Sequence, residues 1–174
     1  MKVIHYILYS CILILLITIF IKSYKTSSNI KSGQFSHRDL ISFSNNEIRS
    51  IASFNFNTSF IKLAEAFEVP ENNIRNNILR KNLKVRANDA ELIIFVGDKE
   101  IEQITININN DIDILLNNLL KNMQANNLEI NKEIIDSDNG EQLAEIYTHT
   151  DDDYQFIITK TTTNLSIDYI NINN

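Results

Sequence analysis

From Val3 to Ile21 the chain runs VIHYILYSCILILLITIFI, nineteen residues with no Asp, Glu, Lys or Arg. At 1.5 Å per residue a helix of that length spans roughly 28 Å, the hydrocarbon thickness of a bilayer. The apolar residues go all the way round rather than forming a stripe, which argues against a helix lying on the membrane surface. A cleaved export signal has a shorter apolar stretch and a small-residue cleavage site, whereas this run ends in Lys22. The segment therefore reads as an uncleaved transmembrane signal-anchor over 1–21, with Val3, Ile7, Leu15 and Ile21 among the residues facing lipid.

Orientation follows from the flanks. Lys22, Lys25, Lys31 and Arg38 follow the run and Lys2 precedes it, a count that favours a cytoplasmic C-terminus. The two-residue Met-Lys head leading directly into the apolar run is instead the layout of an export anchor whose bulk is translocated. The latter sets the expectation: a single-pass membrane protein with its domain outside the cytoplasm, periplasmic in a bacterium. Cys11 is the only cysteine. Leu8-Tyr9-Ser10-Cys11 resembles the lipobox of bacterial lipoproteins, but Tyr9 is bulky for that box and ten apolar residues follow it.

About 150 residues remain, enough for one domain. Hydrophobic residues are 44% and charged residues 22%, the composition of a folded chain. Asparagine occurs 25 times and isoleucine 31 times. Both have AT-rich codons, so clusters of Asn carry little weight as selected features. The net charge of −6 divides unevenly: residues 1–90 hold 12 basic and 6 acidic residues, and 91–174 hold 4 and 16. Such an acidic C-terminal half repels nucleic acid, which makes nucleic acid an unfavoured partner there.

Residues 22–39, rich in Ser and Lys without periodicity, read as a polar tether. Residues 40–88 read as short amphipathic helices. Ser44 and Glu47 have capping-box spacing and Phe43 and Ile48 that of a hydrophobic staple, predicting a helix over about 45–53. Phe60, Leu63, Ala64 and Phe67 share a helical face, and Pro70 can open a second helix in which Ile74, Ile78 and Leu79 align.

Residues 89–174 read as an α+β domain, a small antiparallel sheet with one covering helix in the order ββαβββ. Glu91–Gly97 is a continuous apolar run of strand length, and Ile104, Ile106 and Ile108 alternate with polar residues. Asn110 or Asp111 caps the best helix, where Ile112, Leu115, Leu116, Leu119, Leu120 and Met123 make one apolar stripe and Ile114 lies off it. Leu115, Leu116, Leu119 and Met123 are the expected core. Asn126 and Asn127 can close it in the left-handed conformation. Strands follow in LEINKEII, LAEIYTHT, YQFIITKT and LSIDYINI, the last as an extra edge.

Phe60–Leu79 resembles the helix-turn-helix of bacterial regulators, which implies a DNA-reading second helix with Arg75, Arg80 and Lys81 near phosphates. Glu68 stands where that family has a small residue at the turn, and residues 61–90 carry six basic against four acidic residues, a weak field for phosphate binding. An amphipathic hairpin packed on the sheet is the preferred reading.

His149-Thr-Asp-Asp-Asp-Tyr154 could hold a divalent metal, but no second ligand cluster accompanies it and it also suits an acidic β-turn. Asp136–Glu141 resembles a calcium loop one residue short, and Asn139-Gly140 is a hairpin signal. The three glycines, Gly33, Gly97 and Gly140, cannot assemble a phosphate-cradling loop, and no metal or cofactor is expected. By elimination the chain reads as a non-catalytic interaction or envelope-assembly component. Its expected partners are the lipid bilayer and another membrane or envelope protein. A membrane-tethered regulator and a small-ligand or lipid-binding sensor are the alternatives.

Overall fold

A computed structural model describes residues 34–173 apart from 37, 45, 138 and 139. The anchor segment, with Val3, Ile7, Leu15 and Ile21, lies outside the described residues, as do His5, His37 and most of the tether. Among the described residues no helix is long and apolar enough to cross a membrane.

The fold is a sheet-rich α+β architecture. Its strands are β1 (Gln34–Phe35), β2 (Ile41–Ser44), β3 (Glu47–Ile51), β4 (Ile78–Val85), β5 (Asn88–Val96) and β6 (Ile101–Ile108), then β7 (Asn131–Asp136), β8 (Gln142–Thr150), β9 (Tyr154–Lys160) and β10 (Leu165–Asn171). Helix α1 spans Phe60–Phe67 and α2 spans Ile112–Ala125. Eight strands form one sheet in the order β1-β4-β5-β6-β10-β9-β8-β7, antiparallel throughout except where β1 meets β4, while β2 and β3 make a separate hairpin.

Register sorts the side chains by face, because directly opposed residues point the same way. Leu92, Ile106, Ile167, Ile158 and Tyr147 oppose one another across five strands and belong to the single core cluster with Leu63, Leu115, Leu116, Leu119 and Met123. The other face carries Ile93, Thr105, Asp168, Ile157 and Thr148, none of them in that cluster. One face is thus buried under α1, α2 and the β2–β3 hairpin, and the other is open.

Helix α2 matches its sequence reading: Leu115, Leu116, Leu119 and Met123 are buried and Ile114 is 52% exposed. Its termini use backbone geometry. Asp111 occupies the N-cap position at φ 52° without a side-chain cap bond. At the other end Asn127, at φ 56°, donates its N–H to Gln124 and Leu128 donates to Met123, both at 3.0 Å, the paired closure of a Schellman motif.

The N-terminal half corrects several expectations. Among the described residues no helix covers the 45–53 stretch; β2 and β3 pair there, with Ser44 opposite Glu47 and Asn46 at φ 69° in the turn. Asn tolerates that left-handed geometry, so the capping-box spacing marks the two sides of a tight turn. The chain after Pro70 makes only a 3-10 turn over Glu71–Asn73, Asn76 breaks it at φ 53°, and Ile78 and Leu79 begin β4. Among the described residues the 40–88 segment therefore contains one α-helix rather than several. Glu68, despite its bulk, does adopt the left-handed conformation, φ 56°, at the end of α1, where the Glu68 and Val69 N–H groups share the Ala64 carbonyl.

Two further corrections concern limits. The folded part starts inside the 22–39 tether, since Phe35 in β1 is buried in the core, and core residues from 40–88 and 89–173 share one cluster. The ββαβββ order undercounts the sheet, and β10 is an interior strand between β6 and β9 rather than an extra edge.

Truncating Leu116 to alanine removes a side chain only 4% exposed and is expected to cost about 2–5 kcal/mol in chemical denaturation. Ile114→Lys, on the exposed side of the same helix, is expected within about 0.5 kcal/mol of wild type. Equal losses for both would remove α2 from the sheet.

Candidate functional site

One end of the molecule gathers apolar side chains that the core does not use. All six residues of β7 are exposed. Ile134 is 50% exposed, Ile135 40%, Leu143 53% and Ile114 52%, four of the seven large hydrophobic residues left exposed among those described. Ile135 opposes Ala144 and Ile134 opposes Glu145. Leu143 and Ala144 line a groove of about 690 Å³ with Ile112 and Ile114 of α2 on the facing side. β8 continues past the end of β9: β9 stops at Lys160, opposite Glu145, so residues 142–144 and their partners Ile135 and Asp136 on β7 extend beyond β9.

The base of this rim is fixed by charge. Lys132 donates to Glu145 Oε1 at 3.1 Å, Tyr147 Oη donates to Glu145 Oε2 at 2.7 Å, and Lys160 sits 2.7 Å from Asp113 of α2. Lys132 Nζ also lies 5.2 Å from the Tyr147 ring centroid. The Tyr147 hydroxyl, with smaller contributions from Gln142 and Lys132, holds the Glu145 carboxyl at about 2, well below its ordinary 4.5. Burial, then the bond to Glu145, pushes the Tyr147 hydroxyl up. The side chain of Glu145 is 16% exposed. Among the described residues β7 ends the sheet, so it turns an unpaired row of backbone N–H and C=O groups outward beside this rim.

The residues singled out from the sequence fall elsewhere. Arg75, ahead of β4, lies 3.9 Å from Asp98 and over the Phe60 ring. Arg80 pairs with Glu91 at 2.9 Å on the open face, while Lys81, on the opposite face of β4, donates to the Ala66 carbonyl. The second helix that was to carry these three residues toward DNA is a turn and a strand, and they share no surface. His149 is buried with its Nδ1 2.8 Å from the Glu129 carbonyl, and Asp153 accepts a bond from Asn173. Among the described residues no group of three or more His, Cys, Asp or Glu is placed to hold a metal ion. The core set Leu115, Leu116, Leu119 and Met123 is buried.

Two other features have site-like geometry. On the open face Asp168 accepts from Thr105 at 2.6 Å, Gln103 at 3.0 Å and Ser166 at 3.1 Å, a cross-strand clamp over β6 and β10. Between the β2–β3 hairpin and α2 lies a cleft of about 650 Å³ with Arg38, Arg49 and Ser50 on its walls. Asp39, also on that wall, accepts from Ser36.

Sequence reasoning located the strands of the rim but missed their exposure. In Asn-Lys-Glu-Ile-Ile-Asp neighbouring residues do not alternate in polarity, so neither face of β7 is apolar, and that lack of alternation is the mark of an edge strand. Comparison with protein-family models, curated proteins and solved structures gives no match.

The Glu145 network makes stability depend on acid. The unfolded carboxyl takes up a proton near its ordinary value and the folded one only near 2, so the unfolded state binds more protons between them. The melting temperature is expected to fall as pH drops from about 4.5 to about 2, and Tyr147→Phe to weaken that dependence. An unchanged slope in the variant would remove Tyr147 as the main cause.

Proposed function

We propose that the chain is a single-pass, membrane-anchored interaction domain, held outside the cytoplasm by Val3–Ile21 and the tether, that acts in envelope assembly by binding protein rather than by catalysis. The observation that carries this reading is the rim of Ile114, Ile134, Ile135 and Leu143 beside a free strand edge. Isolated exposed isoleucines are common, but here Ile114 and Leu143 line one groove next to the β7 edge that carries Ile134 and Ile135, and the ions Lys132, Lys160 and Asp113 border it, an apolar centre with a polar margin of the kind a binding surface has. The length and lack of charge of the Val3–Ile21 run support the anchor.

A second reading takes its support from the Arg38 and Arg49 cleft, whose hydroxyl and guanidinium donors suit a small oxygen-rich anion or a lipid headgroup. Native mass spectrometry of the chain purified from its host would reveal a retained molecule, and an empty cleft would count against this sensor role.

Two measurements test the main reading. A reporter active only outside the cytoplasm, fused at Asn174, is expected to be active; a silent fusion with an active cytoplasmic reporter would reverse the orientation. Ile114→Lys combined with Leu143→Asp is expected to leave the melting temperature near wild type while abolishing recovery of envelope proteins after crosslinking in cells. Undiminished recovery by a folded variant would place binding away from the rim.

A further inference from the structure

The two edges of the large sheet are unequal. Among the described residues β1 contributes Gln34 and Phe35, while β7 presents six residues, paired on one side to β8. A six-residue edge strand with two half-exposed isoleucines is a template for another strand. We infer that the strand which adds there is β7 of a second copy of this chain, antiparallel across a two-fold axis normal to the sheet. The inference rests on the reading of the chain as a membrane-anchored interaction domain and names its partner.

The register follows from geometry and charge. Opposed residues in an antiparallel pair point to the same face, so the covered faces of both copies lie on one side only when the axis passes through a residue. Centring on Lys132, Glu133 or Asp136 sets that charge against its own copy, which is destabilising. Centring on Ile135 places Ile134 against Asp136 and leaves Lys132 beyond the partner strand. Centring on Ile134 brings Ile134 against its copy, pairs Lys132 with Asp136 twice, and lays Glu133 beside Ile135. This register uses the five residues 132–136 and forms two opposite-charge pairs. Lys132 is already steered to the covered face by Glu145 and the Tyr147 ring, the side on which Asp136 of the other copy would stand.

Closure and the membrane agree with this pairing. Two anchors in one bilayer with the same orientation require the two-fold axis to lie along the membrane normal, which sets the joined sheet parallel to the bilayer. Among the described residues the other edge that each copy keeps on the joined sheet is the two-residue β1, a poor template for further addition, which favours an assembly of two chains.

The test uses the full chain in neutral detergent, with Cys11→Ser as background and single cysteines introduced by Glu133→Cys, Ile134→Cys or Ile135→Cys. All three positions are exposed, so the variants are expected to fold. Directly opposed residues sit about 4.5–5.5 Å apart at Cα, within disulfide reach, and the diagonal ones do not. Ile134→Cys is expected to crosslink to a dimer on mild oxidation, while Glu133→Cys and Ile135→Cys crosslink only when the two are mixed. Asp136→Lys is expected to weaken the dimer about tenfold in light scattering. A monomeric chain, or crosslinking strongest at Glu133 alone or equal at all three positions, overturns the inference. If the chain is monomeric yet the Ile114→Lys and Leu143→Asp variant still loses its envelope partners, this pairing fails and the broader reading survives; if those partners are retained as well, both fail.

Discussion

Two tyrosine hydroxyls on the backbone of one residue, Ile48, hold the architecture together. The Ile48 N–H donates to Tyr154 Oη at 3.1 Å, and Tyr169 Oη donates to the Ile48 carbonyl at 3.0 Å, both out of solvent. Burial pushes both hydroxyls up from their ordinary range, so they stay protonated wherever the protein is folded at physiological pH. A two-stranded hairpin alone is marginal in water. Gripped at Ile48, stacked through Phe56 on Tyr169 at 4.2 Å, and buried through Ile41, Ile48 and Ile51, the β2–β3 hairpin becomes a third covering piece beside α1 and α2. Without it a broad stretch of the sheet's apolar face would meet water. His149, between the Glu129 carbonyl and Tyr154, braces the same ring from the sheet side.

How far the sequence discloses this depends on whether local pattern and tertiary role coincide. In the C-terminal half they do: Ile104, Ile106 and Ile108 alternate because one face is buried, and the α2 stripe at helical spacing is the buried stripe. In β4 they part. Its covered-face positions are Leu79, Lys81, Leu83 and Val85, and Lys81 interrupts the apolar series. The lysine is tolerated because its stem lies along the core and its ammonium reaches the Ala66 carbonyl, a contact made by a helix fifteen residues earlier in sequence. Ile74, Ile78 and Leu79 then match a helical period by coincidence. Likewise Ser44 and Glu47 fit a helix start and the flanks of a two-residue turn equally well, and only pairing with Ile51 and Ser50 decides between them. The site was legible in part. Ile114 stands off its helical stripe by inspection, but the exposure of Ile134 and Ile135 comes from β7 standing at the sheet's edge and that of Leu143 from β8 outrunning β9, relations between strands that no window of sequence contains.

The open face shows what the fold does with sheet surface meant for solvent. Arg80 pairs with Glu91 and Lys84 with Asp89 across β4 and β5, and the Asp168 clamp ties β6 to β10. Each device satisfies its polar groups locally, and each is worth little in stability when exposed. Together they keep charge and hydrogen-bonding capacity spread over a face that also carries Phe95, Ile157 and Ile170. The acidic excess of the C-terminal half is spread in the same way, over turns and strand ends.

The rim at β7 is treated differently. A lysine on an edge strand ordinarily guards it, because its ammonium projects into the space another strand would occupy. Lys132 instead folds back onto Glu145 and the Tyr147 ring. Glu145, kept ionised by the Tyr147 hydroxyl, holds it there, and the edge beside Ile134 is left without its usual protection. The same carboxylate lies 4.0 Å from Lys160, whose salt bridge to Asp113 fixes the first turn of α2 and hence Ile114. One partly buried glutamate therefore links the two halves of the rim. It draws the guarding charge off the strand edge, and it stands in the charge network that sets the helix at the distance from β8 which opens the apolar groove. The polar network around Glu145 thus leaves an apolar edge accessible beside the groove that Leu143 and Ile114 line.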